Sequence, residues 1–326
     1  MLRRLLYGPV PVSLMRRCLS SAAAAPVSVD KEALMKLRKR TGYSYVNCRK
    51  ALLEFGPDNL TEAEKWLREK AKSEGWAKAA KLSSRATTQG LIAAKSCGSV
   101  GAIVELSCET DFVARGDHFK NLLENLVESV LLHARKNSPQ NLGASIVATD
   151  LDLNTLVDSN GKPLSEMVAM AVGKLGENIS VRSVRALYAP KDSSLYAASH
   201  PREGNDAVNM GKFVSVVALR RAQKGGLFPT EKLAAQLCQH VIGMRSETLG
   251  EPPVKREETV QKSQTEGSED ELNSFANVQT TNIDEDETAL LRQAFMLNPS
   301  QTVYEYVNGH EAQIVDFVRG ELGGEA

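Results

Sequence analysis

The residues best able to act on another molecule are an acid and an aromatic side by side, where an apolar strand gives way to a helix. Cys108-Glu109-Thr110-Asp111-Phe112-Val113-Ala114-Arg115 follows the run Ala102-Ile103-Val104-Glu105-Leu106-Ser107. Phe112 has two readings there. It tucks into its own core, the commoner fate of an aromatic at such a junction, or it projects as a wedge with a carboxylate presented to a partner. The rest of the inventory is sparse. The five cysteines (Cys18, Cys48, Cys97, Cys108, Cys238) and five histidines (His118, His133, His200, His240, His310) show no C-x-x-C or zinc-ligand spacing. A buried inert thiol is the ordinary reading of each cysteine. A nucleophile at Cys108 or Cys48 with a histidine is the minor enzymatic alternative. No Walker loop, G-x-S-x-G or H-E-x-x-H occurs. Gly173-Lys174-Leu175-Gly176-Glu177-Asn178 lacks phosphate-loop spacing and reads as a helix stopped by glycine and turning into a strand. With no catalytic constellation, a partner-binding protein leads over an enzyme, and no cofactor or metal is expected.

The junction must be carried by an α+β core. Gly90–Lys95 and Ala102–Cys108 read as a hairpin through Cys97-Gly98-Ser99. Phe119, Leu122, Leu123, Leu126, Val127, Val130 and Leu131 then fall at helical spacing over Asp117–Arg135, a face that packs on a sheet. A helix through Leu164, Met167, Val168, Ala171, Val172 and Leu175 precedes a strand over Asn178–Tyr188. The plan recurs in strands at Ser194–Ser199 and Gly211–Leu219 and a helix capped by Thr230 that carries Leu233, Leu237 and Val241. Two related subdomains follow from that pattern.

Ahead of the core, three short helices are expected. Asp30 caps the first (Ala33, Leu34, Leu37), which Gly42 stops. Ser44 caps the second, with Val46, Ala51, Leu52 and Phe55 on one face, ended by Gly56-Pro57. A Thr61/Glu64 capping box opens the third, with Ala63, Trp66 and Leu67 inward. The turn Thr41-Gly42-Tyr43-Ser44 stands where ubiquitin-associated-like bundles bind partners. A general adaptor built on that module is therefore the second functional reading.

Charge divides the chain further. The 326 residues carry 40 basic and 40 acidic side chains, a balance that argues against a nucleic-acid-binding chain. No apolar run reaches the roughly 18 residues of a membrane span. Residues 1–29 hold Arg3, Arg4, Arg16 and Arg17 among leucines, serines and alanines with no acid, the composition of a mitochondrial transit peptide. Residues 30–85 hold 14 basic and 8 acidic residues, whereas residues 257–287 hold 10 acids and Lys262 alone. The acidic stretch is too polar to offset the entropy of ordering and reads as a solvated linker. The expected organisation is a transit segment (1–27), a three-helix domain (28–68), a helical arm or linker (69–87) and two core subdomains (88–190 and 191–322). Residues 251–287 form a disordered acidic insertion in the second subdomain.

Five ordered segments resemble the elongation factor Ts family. Leu37-Arg38-Lys39-Arg40-Thr41-Gly42 with Cys48-Arg49-Lys50-Ala51-Leu52 is similar to its first signature, and Thr110-Asp111-Phe112-Val113 to its T-D-F-V element. Gly173–Ile179 resembles its I-G-E-N segment. Asn298–Val303 and Val315–Glu321 resemble its P-S-x-T-V and F-x-R-x-E elements. With the transit-like start, the chain looks most like the mitochondrial form.

The resemblance implies guanine-nucleotide exchange without covalent chemistry. The partner is mitochondrial elongation factor Tu, GDP-bound and nucleotide-free, in the matrix, with no cofactor and no direct nucleic acid or membrane contact. It implies that Asp111 and Phe112 intrude beside the partner's magnesium site, flanked by Thr110 and Val113. Tyr45, Val46 and Arg49 match contact positions for the partner's nucleotide-binding domain, with Arg49 where a lysine is usual. Leu175, Gly176 and His200 match further contacts. Pro201 after His200 departs from the family's frequent glycine, and the bacterial coiled-coil insertion is expected to be absent. Asp111 itself either repels a metal-ligand carboxylate or caps the helix that begins near Asp117.

Overall fold

A computed structural model describes residues 29–43, 45–139, 142–204, 207–221, 228–253 and 286–324. The leader expected over 1–27, most of the acidic stretch and the expected Ser44 cap lie outside the described residues.

Three helices open the described chain. α1 (Lys31–Thr41) starts where the Asp30 carboxylate accepts the Glu32 amide at 2.9 Å and stops at left-handed Gly42. α2 (Tyr45–Phe55) buries Cys48, Ala51 and Leu52. Val46, expected on that inward face, is instead exposed: two residues from Cys48 is about 200° around the helix. α3 (Leu60–Leu82) does not stop after the bundle but runs 23 residues through the expected arm. Its capping box does not form. Asn59 occupies the N-cap without a side-chain bond, and Glu64 pairs with Arg40 (3.1 Å) and Arg68 (3.4 Å) instead.

Among the described residues the core contains a five-stranded, a three-stranded and a two-stranded sheet. β1 (Gln89–Cys97) and β2 (Val100–Cys108) form the hairpin, followed by the short α4 (Asp111–Arg115) and the long α5 (Asp117–Lys136). β3 (Val147–Asp150), α6 (Leu164–Leu175) and β4 (Ile179–Tyr188) complete the first half. The second half comprises β5 (Ser194–His200), β6 (Asn209–Gly211), β7 (Phe213–Arg221) and α7 (Thr230–Gly243). β8 (Ala294–Phe295), β9 (Asn298–Thr302), α8 (Val303–Gly309) and β10 (Ala312–Glu321) end it. Thr230 is not the cap of α7; Pro229 is, and the Thr230 hydroxyl accepts from Arg221 at 2.9 Å.

One sheet has the order β3-β4-β2-β1-β6, a second β10-β7-β5, and the last is made by β8 and β9, all antiparallel neighbours. The halves share a plan: two paired strands, a helix, and a later strand set antiparallel beside the second of the pair, β4 on β2 and β10 on β7. Side chains alternate between faces, so Val104 and Leu106 meet α5 and α6 while Ile92, Ile103 and Leu187 meet Val214 and Val216 of the second sheet. α7 closes the outer side through Leu233, Leu237 and Val241 against Val217 and Leu219. Every residue of β2 is buried because both its faces are covered.

Candidate functional site

Backbone pairing of β2 with β4 ends at Cys108 and Ile179. Beyond it the chains diverge, β2 into α4 and β4 back to α6, and two carboxylates take over as acceptors. The Asn178 amide donates to Glu109 Oε1 at 2.7 Å, and the Thr110 amide to Glu177 Oε2 at 3.1 Å. Side chains thus satisfy N–H groups that the ladder leaves behind. The Thr110 hydroxyl donates to Glu177 Oε1 at 2.7 Å and accepts from the Val113 amide at 3.4 Å, capping α4. Arg85 reinforces the arrangement, pairing with Glu109 at 3.4 Å while its carbonyl accepts from Asn178 Nδ2 at 2.8 Å.

On this mount Ala114 is buried, Val113 packs partly against the core, and the Phe112 ring is 84% exposed. Of the two readings of Phe112, the projecting one is observed. Asp111 pairs with Arg115 at 3.2 Å on the same helix, and Gly116, not Asp111, stands at the N-cap of α5. The capping role considered for Asp111 is thereby removed. Cys108 lies under the mount and donates to the Thr110 carbonyl at 3.1 Å. Burial, then the Glu177 charge, pushes its thiol up to about 11, so it is an inert donor and not a nucleophile. Cys48 is likewise raised, by burial.

Beside Phe112 runs a cleft shared with Gln89, Arg115, Pro201, Glu203 and Lys212. The second half of the core thus forms its far wall, where Lys212 Nζ donates to the Gly90 carbonyl at 2.9 Å. His200 ends β5 opposite Phe213 and is exposed; Pro201, joined to it by a cis peptide, lines the cleft, and His200 does not.

The turn after α6 meets the bundle on its other side. Gly176 is left-handed (φ +81°) and exposed, and Leu175 is half-buried. Lys174 Nζ donates to His118 Nδ1 at 3.2 Å and lies 5.3 Å from the Tyr43 ring centre. The His118 ring packs directly against Gly42. Burial, then the Lys174 charge, lowers the His118 pKa, and burial lowers that of Lys174. The Gly42-Tyr43 turn, expected as a partner surface, therefore seats on the chain's own core.

Tyr45, Val46 and Arg49 remain exposed on α2, with Met35 and Leu53 nearby in the same bundle. The structure therefore brings together Thr110, Asp111, Phe112 and Val113 with the turn holding Leu175 and Gly176. It leaves Tyr45, Val46 and Arg49 on a separate helix. Sequence reasoning passed over Glu109, Glu177 and Asn178 as positioning groups. Their signal was an acid in each of two segments that border strand ends.

Comparison with known proteins covers both the bundle and the core. A family model described as "Elongation factor Ts, mitochondrial, N-terminal" matches residues 16–77, and one described as "Elongation factor TS" matches residues 109–324. Relatives named "Elongation factor Ts, mitochondrial" occur in Brugia malayi and Caenorhabditis elegans. Each is 50% identical, over 98% and 96% of this chain and 96% and 98% of their own lengths respectively. One of the same name in Mus musculus is 34% identical over 94% of this chain and 86% of its own. The chain belongs to the elongation factor Ts family, in its mitochondrial form, and is a translation elongation factor.

Proposed function

We propose that this chain is the guanine-nucleotide exchange factor of elongation factor Tu in the mitochondrial matrix. It binds the GDP-bound partner, promotes GDP release and holds the nucleotide-free form. The observation that carries this reading is the Phe112 ring, 84% exposed on a helix fixed at both its cap and its buried face. An aromatic left in water on a rigid mount has its burial energy still to gain. Bound GDP is held largely through its phosphates and magnesium, so a ring and carboxylate driven in beside the metal weaken it directly. No bond is made or broken; the reading is of a binding protein, not an enzyme.

Linkage sets the scale. A factor that prefers the nucleotide-free partner must lower GDP affinity by the same factor. A thousandfold weakening needs about 4 kcal/mol, of which burying one Phe side chain supplies roughly 1.5–3. Thr110 and Val113 border the wedge. Tyr45, Val46 and Arg49 on α2 engage the partner's nucleotide-binding domain, and Leu175, Gly176 and His200 add contacts from the core. The domain plan goes with this reading: a transit segment over 1–27, a bundle over 28–68 joined by an arm, and core subdomains over 88–190 and 191–322.

Phe112→Ala tests it. Release of labelled GDP from elongation factor Tu, at saturating factor, should slow by about 10- to 100-fold, the equivalent of the lost ring burial. The fold should stay intact, because the ring touches little of its own chain. An unchanged release rate with intact binding removes the wedge role.

A further inference from the structure

The Thr110–Glu177 contact has a consequence for exchange. α4 spans only five residues, too few to hold a helix by backbone bonding alone, so its direction depends on what fixes its first turn. That turn is fixed by the Thr110 hydroxyl, which accepts from the Val113 amide while donating to Glu177. Glu177 therefore sets the hydroxyl rotamer that caps the helix, and its second oxygen fixes the Thr110 backbone. Both bonds to Glu177 are charge-assisted, the stronger kind. The reciprocal Glu109–Asn178 bond locks the same two segments one rung earlier, so the two ends cannot slide independently. Phe112 stands two residues from this clamp; among the described contacts the other side-chain bonds at α4 are the Cys108 thiol to the Thr110 carbonyl at 3.1 Å and its own Asp111–Arg115 pair.

We infer that Glu177 is a positioning residue of the exchange wedge: through Thr110 it holds Phe112 in the orientation that enters the partner. This rests on the exchange reading above, and the experiment separates the two. Labelled-GDP release from elongation factor Tu is measured at saturating factor, alongside affinity for the nucleotide-free partner and the thermal midpoint of the free chain. Glu177→Ala should slow release about tenfold, and Glu177→Gln about threefold, since the amide oxygen retains one of two accepting positions. In the double variant with Phe112→Ala, the Glu177 change should add nothing further, because its effect passes through the ring. Thr110→Val should resemble Glu177→Ala, and Thr110→Ser, which keeps the hydroxyl, should restore release; this pair serves if Glu177→Ala does not fold.

Three results overturn the inference while leaving the wedge reading in place. One is a folded Glu177→Ala chain, or Thr110→Val in its place, that releases GDP at the parent rate while Phe112→Ala is slow. Another is additivity in the double variant. The last is failure of Thr110→Ser to recover what Thr110→Val loses. If Phe112→Ala itself leaves release unchanged, the wedge reading falls, and the positioning role falls with it.

Discussion

At Gly42 the backbone turns left-handed (φ +68°) directly against a ring of the core. A Cβ built there would lie 1.7 Å from His118 Nε2, so any side chain forces the imidazole away from Lys174. The left-handed conformation adds a penalty of about 1–2 kcal/mol for a non-glycine residue, whatever the ring does. Gly42→Ala should therefore destabilise the bundle by about 2 kcal/mol. The check is built in: both tryptophans, Trp66 and Trp76, lie on α3, so indole fluorescence in urea reports this region and not the sheets. Removing the ring with His118→Ala should recover only the smaller, steric part. Full recovery would mean that collision and not backbone strain governs the turn. Phe112 shows the opposite situation at this scale, since truncating it leaves the chain's own contacts nearly untouched.

Among elements, the decisive crossing is α3 over α6. A Cβ on Gly75 would stand 2.5 Å from the Ala169 carbonyl oxygen, and one on Gly173 would stand 3.0 Å from the Gly75 Cα. These are backbone obstacles and cannot step aside as a side-chain tip can. Lys78 Nζ donates to the Gly173 carbonyl at 3.2 Å, and Lys72 pairs with Glu166 at 3.0 Å across the same crossing. Gly75→Ala should lift the arm off the core, with amide-exchange protection lost over residues 69–82 and kept over residues 60–67; retained protection in the arm would show that α6 yields instead. The sequence carried only part of this. Apolar spacing marked α5, since Phe119 to Leu131 repeat at the helical period, and Asp30 and Gly42 marked both ends of α1 by local chemistry. Thr61 and Glu64 had the spacing of a capping box, yet Glu64 found two arginines. The crossing at Gly75 was silent because a glycine inside a helix does not say which backbone approaches it. The Glu177 clamp was silent for a related reason: it depends on the register of β2 against β4, 67 residues apart, which no local pattern encodes.

For the whole molecule, His240 and His118 make stability fall with acid. His240 is fully buried under the second sheet, where Nδ1 accepts the Met296 amide at 3.2 Å and Nε2 faces Gln293 Oε1 at 3.1 Å. With Nδ1 accepting, the proton of the neutral ring sits on Nε2 and donates to Gln293. A second proton would have to enter on Nδ1, against an N–H and away from water. Burial accordingly pulls the His240 pKa down to about 4, although the Gln293 bond opposes the shift. A folded pKa below the unfolded one means that stability is complete above about pH 6.5 and is lost as pH falls toward 4. The loss reaches about 3 kcal/mol once both states are protonated. His118 is lowered in the same direction at the bundle seat, by burial and then by Lys174. Acid should therefore weaken the seat of the bundle as well, as pH falls below the ordinary imidazole range. The two effects separate by probe, because indole fluorescence follows α3 while calorimetry reads the heat of the whole molecule. His240→Gln, which retains a donor and an acceptor but cannot be protonated, should flatten the calorimetric acid slope between pH 6.5 and 4 and leave the indole response in place. A slope that survives this replacement would move the acid sensitivity of the core to other groups. A slope lost in both probes would mean that bundle and core unfold as one unit, so that α3 does not come off alone.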